Sequence, residues 1–230
     1  MRVIAHRGAS WERPENTVAA LERAVEIGVD AVEVDLLLSQ EGRLVVRHDD
    51  LIQRDNTWSY VHELTVEELK AIDLGGGQRI PLFEEVFERF QDRCPLVLDI
   101  KAYGTAQRLA AFLRPRAAKE QVHVTSFLHS EIVTFGALCP DVARSIVMAS
   151  LPITFDQLFR EVGTRQVSLF RGSLTEELIL KLQRSGIRVW AYPVNLPREA
   201  QAFARWGVDA IFTDDPATMR FLRAGDNPTT

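Results

Sequence analysis

Short apolar runs alternate with amphipathic stretches along almost the whole chain. The pattern predicts strands near residues 2–6, 30–37, 95–100, 121–126, 143–148, 165–170, 187–192 and 208–213. Between them, apolar residues recur at helical spacing near 16–27, 82–92, 104–118, 130–138, 154–162, 174–185 and 197–206, with a last helix near 215–223. Local chemistry marks several helix ends. Ser173-Leu174-Thr175-Glu176 reads as a capping box, with a stop at Ser185-Gly186. Thr154 with Gln157 repeats that pattern, and Gly28 and Gly207 suit left-handed stops.

Eight strands, each followed by a helix, imply parallel pairing. Closure into a (β/α)8 TIM barrel is the natural solution, and a doubly wound open sheet is the alternative. Residues 38–80 break the alternation. Gln40-Glu41-Gly42 is a turn and Leu44–His48 a returning strand, which predicts a hairpin beside the barrel mouth. The polar stretch Asn56–Gly77, with a capping box at Thr65–Glu68, reads as a small insertion able to cover a site. The expectation is one barrel domain over 1–230 with an insertion at about 40–80 after the second strand, and a frayed tail at Gly225–Thr230.

Barrel enzymes place their chemistry at the C-terminal ends of strands. His6 and Arg7 end the first strand, Glu33 and Asp35 lie late in the second, and Asp99 and Lys101 end the third. Strand side chains alternate faces, so Glu33 and Asp35 project the same way, ~6.6 Å apart along the strand. Carboxylates on a buried face are costly unless something positive joins them, and a divalent cation is the simplest candidate. His6, Arg7 and His48 then become the chemistry around it. Arg7 offers a planar fork of donors to an anionic group, and Lys101 adds a point charge.

Composition narrows the partners. With 46% apolar and 26% charged residues the chain is a folded globular protein. A net charge of −5 with no basic cluster gives no electrostatic case for nucleic acid. No apolar run approaches the ~20 residues of a membrane span. The chain enters its first strand without a charged-then-apolar leader, so the expectation is a cytoplasmic protein of undetermined oligomeric state. Cys94 and Cys139 have no metal-ligand spacing and read as free thiols.

In order and spacing, several motifs resemble the glycerophosphodiester phosphodiesterase family nearly end to end. They are His6-Arg7-Gly8, Pro14-Glu15-Asn16-Thr17, Glu33-Val34-Asp35-Leu36 and His48-Asp49 in the first half. Leu98-Asp99-Ile100-Lys101, Ser126-Phe127, Val194-Asn195 and Gly207–Asp214 follow later. The resemblance implies a TIM barrel, a divalent ion (Mg²⁺ or Ca²⁺), and hydrolysis of glycerophosphodiesters to glycerol 3-phosphate and an alcohol. It assigns acid/base roles to His6 and His48 and metal binding to Glu33 and Asp35, a set to which Asp99 is added.

Three departures stand out. Asp99 replaces the family's usual Glu and loses roughly 1.5 Å of reach, so the ion sits closer to the third strand or water fills the gap. Tyr192-Pro193 replaces the usual Trp and Thr, which bears on the alcohol subsite. The loop after the second histidine reads Arg54-Asp55-Asn56-Thr57. Phe127 and Tyr192 are candidates to contact the substrate at the rim; Trp190 and Trp206 are expected to pack between barrel and helices. His62 and His123 lie away from the rim positions, and His129 suits a helix start. Alternatives are a lysophospholipase D, a non-catalytic phosphodiester binder, and an aldolase-like barrel using Lys101 as a Schiff base.

Overall fold

The computed structural model describes residues 1–54, 56–116 and 121–224. Asp55, the end of the helix expected over 104–118, and the tail Gly225–Thr230 lie outside the described residues.

Eight parallel strands close into a barrel: β1 (Arg2–Ala5), β2 (Ala31–Leu38), β6 (Leu96–Ile100), β7 (Val122–Ser126), β8 (Ala143–Met148), β9 (Gln166–Phe170), β10 (Arg188–Tyr192) and β11 (Ala210–Thr213). The last strand pairs with the first, Ala5 opposite Thr213, and β1 also pairs with β2. Helices α1 (Val18–Ile27), α3 (Phe83–Phe90), α4 (Thr105–Leu113), α5 (His129–Leu138), α6 (Phe155–Val162), α7 (Glu176–Arg184), α8 (Pro197–Trp206) and α9 (Phe221–Ala224) lie between or after them. The open-sheet alternative is thereby excluded. Among the described residues, no helix is long and apolar enough to cross a membrane.

Alternation along β2 explains how the barrel is built. Val32, Val34 and Leu36 point outward into the main core, where Leu21, Phe83, Phe87 and Leu98 also lie. Glu33 and Asp35 therefore point inward. A separate cluster fills the lower interior of the barrel: Ile4, Ala31, Val97, Trp190, Ala210 and Phe212. Trp190 is thus inside the barrel rather than between barrel and helices, because the small Ala31 and Ala210 leave room for an indole. Trp206 does pack against the outer core, with its ring 5.5 Å from that of Phe203.

The expected hairpin is present. β3 (Leu44–Val46) runs antiparallel to β2, with Leu37 opposite Val45. Beyond it, β4 (Leu51–Arg54) and β5 (Thr57–Tyr60) form a second hairpin, which the polar composition of this stretch concealed. Next comes α2 (Val66–Ala71), capped by Thr65 and Glu68 as predicted. This insertion has its own apolar cluster of Leu37, Val45, Ile52, Val61, Leu64, Leu69, Ile80 and Leu82.

Thr17 caps α1, and Gly28 ends it at φ 82°. Gly207 ends α8 at φ 86°. Two caps differ from expectation. Thr175, not Ser173, accepts the Leu178 N–H at the start of α7, while Ser173 instead bonds the Ala149 carbonyl. Thr154 precedes α6 but makes no side-chain cap bond. Cys94 and Cys139 are buried free thiols.

Candidate functional site

The chain turns sharply after β1 because two successive residues adopt left-handed backbone, Arg7 at φ 58° and Gly8 at φ 82°. A Cβ on Gly8 would lie 2.6 Å from the Ala20 carbonyl carbon, so the turn can press against α1 only with glycine here. The turn aims the Arg7 N–H at Glu33 Oε2, 2.8 Å away. It also brings the Arg7 guanidinium to both Glu15 oxygens at 3.0 Å and sets its Nε 3.2 Å from Asp35 Oδ2. Asn16, itself left-handed at φ 57° and buried, bonds Asp35 twice: Nδ2 donates to Oδ2 at 2.8 Å, and Oδ1 accepts the Asp35 N–H at 3.2 Å. The Pro14–Thr17 motif therefore both caps α1 and braces the site.

Register brings the acids together. In the β2–β6 pair, Asp35 lies directly opposite Asp99. One oxygen from each of Glu33, Asp35 and Asp99 lies within 4.8 Å of the others, and all three residues are buried. Asp99 thus reaches the cluster despite its shorter side chain. Lys101 Nζ stands 3.2 Å from Asp99 Oδ2 and 3.5 Å from Asp35 Oδ1.

Burial, with Asp35 and Asp99 nearby, pushes the Glu33 carboxyl well above the ordinary carboxylate range. Burial likewise carries Asp99 up to about 7, with Lys101 opposing the rise and Asp35 adding to it. Burial disfavours charge on Lys101 too, but Asp99, Asp35 and Glu33 outweigh it and hold the ammonium above its ordinary value. Lys101 is therefore a fixed cation, the wrong state for a Schiff-base nucleophile.

Three buried carboxylates face two cations, a set with room for further positive charge. Asp99 Oδ1 is buried with no hydrogen-bond partner, an expensive state for a carboxylate oxygen. All-oxygen donors at this spacing suit a hard divalent ion, which would give that orphan atom a partner.

His6 Nδ1 is 2.7 Å from Asp214 Oδ1, and His48 Nδ1 is 2.8 Å from Asp49 Oδ1. Each imidazole is thus held through Nδ1 by a carboxylate, as an oriented proton carrier requires. Burial disfavours the Asp214 carboxylate, but bonds from His6, Asn195 and Ser10 prevail and keep it below its ordinary value. His48 lies beyond the end of β3, so the insertion delivers it to the mouth.

All the predicted site residues line one cavity of about 270 Å³ at the C-terminal mouth: His6, Arg7, Glu33, Asp35, His48, Asp99, Lys101, Phe127 and Tyr192. Phe127, 46% exposed, meets Tyr192 edge to face at 5.8 Å, and the Tyr192 hydroxyl donates to the Met148 carbonyl at 3.1 Å. Of the remaining histidines, His62 stacks on Tyr60 in the insertion and His129 opens α5. His123 packs against Trp190 inside the barrel, where burial, then Arg188 and Arg2, lower its pKa to about 3. Sequence reasoning assigned no role to Asp214, Asn195 or Ser10. The signal was available, since Asp214 follows the end of β11 just as His6 follows the end of β1.

Comparison with known proteins agrees with this geometry. Over 231 residues the chain is 31% identical to a glycerophosphodiester phosphodiesterase of Caldanaerobacter subterraneus, covering 94% of this chain and 95% of that one. A human lysophospholipase D is 36% identical over 112 residues, 43% of this chain and 35% of that protein. A solved phosphodiesterase from Oleispira antarctica, in complex with the product sn-glycerol-3-phosphate, superposes with a TM-score of 0.88 at 25% identity, covering 97% of each chain. The model of the glycerophosphoryl diester phosphodiesterase family matches residues 6–218, and this chain belongs to that family.

Proposed function

We propose that the chain hydrolyses glycerophosphodiesters to glycerol 3-phosphate and an alcohol, with His6 and His48 as proton carriers and Glu33, Asp35 and Asp99 as ligands of Mg²⁺ or Ca²⁺. The observation that carries this reading is the meeting, in one cavity, of two carboxylate-held imidazoles with a buried acidic trio.

A divalent ion held by Glu33, Asp35 and Asp99 would supply Lewis-acid chemistry to the bound phosphate. Arg7 and Lys101 meet the remaining phosphate charge. Glycerol leaves a hydroxyl beside the phosphoester oxygen. His6, the less exposed imidazole at 19%, takes the proton of that hydroxyl as it attacks phosphorus and closes a cyclic phosphate. Intramolecular attack of this kind can remove roughly 7–11 kcal/mol of the barrier. His48, 31% exposed at the outer lip, protonates the alcohol as its bond to phosphorus breaks. Water then opens the ring with the two roles reversed. Phe127 and Tyr192 form the apolar wall against which the organic part of the substrate lies.

Glycerophosphocholine tests this directly. Release of glycerol 3-phosphate should stop in chelator and return with Mg²⁺ or Ca²⁺. Turnover unchanged in chelator, or no product with either ion restored, would refute the reading. Lysophospholipids are the second substrate to include, because Phe127 and Phe170, 46% and 38% exposed, offer apolar surface close to Tyr192.

A further inference from the structure

Asp214 is held more firmly than a carboxylate serving only to pair with a histidine would need to be. Asn195 Oδ1 accepts two bonds, from Thr213 Oγ1 at 3.1 Å and from the Asp214 N–H at 2.9 Å. With its oxygen committed, the Asn195 amide can present only Nδ2 to Asp214, and that nitrogen donates to Oδ2 at 2.6 Å. Asp214 Oδ1 is left for His6 Nδ1 at 2.7 Å, with the Ser10 hydroxyl at 3.3 Å. Ser10 shares its single O–H with the His6 carbonyl, the nearer acceptor at 2.9 Å, tying the histidine backbone to the same network. The elements involved come from both ends of the chain: β1 and its turn supply His6 and Ser10, β11 leads to Asp214, and the loop after β10 carries Asn195.

We propose that Asp214, its orientation dictated by Asn195, is a positioning residue that keeps the His6 proton on Nδ1 and leaves Nε2 as the proton acceptor. An acceptor-only carboxylate at Nδ1 permits no other neutral tautomer. This inference rests on the reading of His6 as a proton carrier and adds what sets its tautomer. Because the anchors sit on β1 and β11, closing the barrel is what completes the base.

The fixed amide of Asn195 gives an uncommon test. In Asp214→Asn, Asn195 Nδ2 still needs an acceptor, so the new amide turns its oxygen toward Asn195 and its NH₂ toward His6. The histidine proton is then driven to Nε2 and the base is blocked. In the double variant Asp214→Asn/Asn195→Ala that demand is gone, and the amide at 214 is free to flip and accept from Nδ1. The single variant should lose about 10²–10⁴-fold in kcat, the range for a lost general base or a wrong tautomer, with KM changed by less than about threefold. The double variant should recover at least tenfold of that loss. Nitrogen-15 NMR of the imidazole should report Nδ1–H in the wild type, Nε2–H in the single variant and Nδ1–H again in the double.

Thermal melts identify variants that have not folded, and Asp214→Glu gives a further acceptor at Nδ1 if the double variant fails to fold. Wild-type turnover in the folded Asp214→Asn, or an unchanged tautomer, would overturn the proposal. So would a folded double variant no better than the single. His6→Ala separates the two levels of argument. If it keeps full activity, the proton-carrier reading fails; if it is inactive while Asp214→Asn is not, only the positioning role fails.

Discussion

Replacing His48 by alanine distinguishes the two imidazoles, because in the proposed sequence only His48 protonates the departing alcohol. A general acid contributes about 10²–10⁴-fold. The His48 side chain is 31% exposed and its carboxylate partner Asp49 is 66% exposed, so water can partly stand in for the lost proton donor. The lower half of the range is then expected: a 10²–10³-fold fall in kcat on glycerophosphocholine, or ~3–4 kcal/mol of transition-state stabilisation. A glycerol p-nitrophenyl phosphodiester expels a phenolate that needs no proton at neutral pH. In the first, nitrophenolate-releasing turnover of that substrate His48→Ala should lose less than about tenfold, while His6→Ala should lose activity on both because the attacking hydroxyl is unchanged. Product release and nitrophenolate absorbance measure the two rates. Equal losses for His48→Ala on both substrates would refute its role as leaving-group acid.

Other positions give independent tests. Gly8→Ala adds a Cβ 2.6 Å from the Ala20 carbonyl carbon at a positive φ, and should cost about 3 kcal/mol or more, read as a fall of roughly 6–12 °C in melting temperature. Asp99→Asn removes one charge from the acidic trio and should weaken Mg²⁺ or Ca²⁺ binding by about tenfold or more, measured by competition titration with a chelating dye. His123, with its pKa lowered to about 3, stays neutral in the fold while the unfolded chain takes up a proton below ~6.5. Its contribution is therefore whole above that value and lost as pH falls toward 3. Between pH 7 and 5 it removes ~2 kcal/mol, and His123→Asn should flatten that part of the stability–pH curve.

The sequence made the barrel and most of its rim readable because alternation is a local property. Once β2 was recognised as a strand, Glu33 and Asp35 had to share a face, and the strand-end rule then collected His6, Asp99 and Lys101. Features set by distant partners were harder to read. Trp190 looked like an outward-facing residue, since nothing near it in the chain reveals that Ala31 and Ala210 leave a gap inside the barrel. Ser173 looked like a cap because its spacing to Glu176 is right, yet it is the Thr175 hydroxyl oxygen that accepts the Leu178 N–H. β4 and β5 lack the apolar alternation of a buried strand because one face of their hairpin meets solvent, with Trp58 63% exposed. Asp214 belongs to the same class: its partner His6 is 208 positions away in the chain.

The two imidazoles are mounted on different supports. One stands on the staves of the barrel beside the acid cradle, tied down by the last strand. The other rides on an appended hairpin module with a small apolar heart of its own. On the proposed assignment of roles, phosphate handling and leaving-group handling are physically modular, so exchanging the module is expected to shift alcohol preference while leaving the cradle intact.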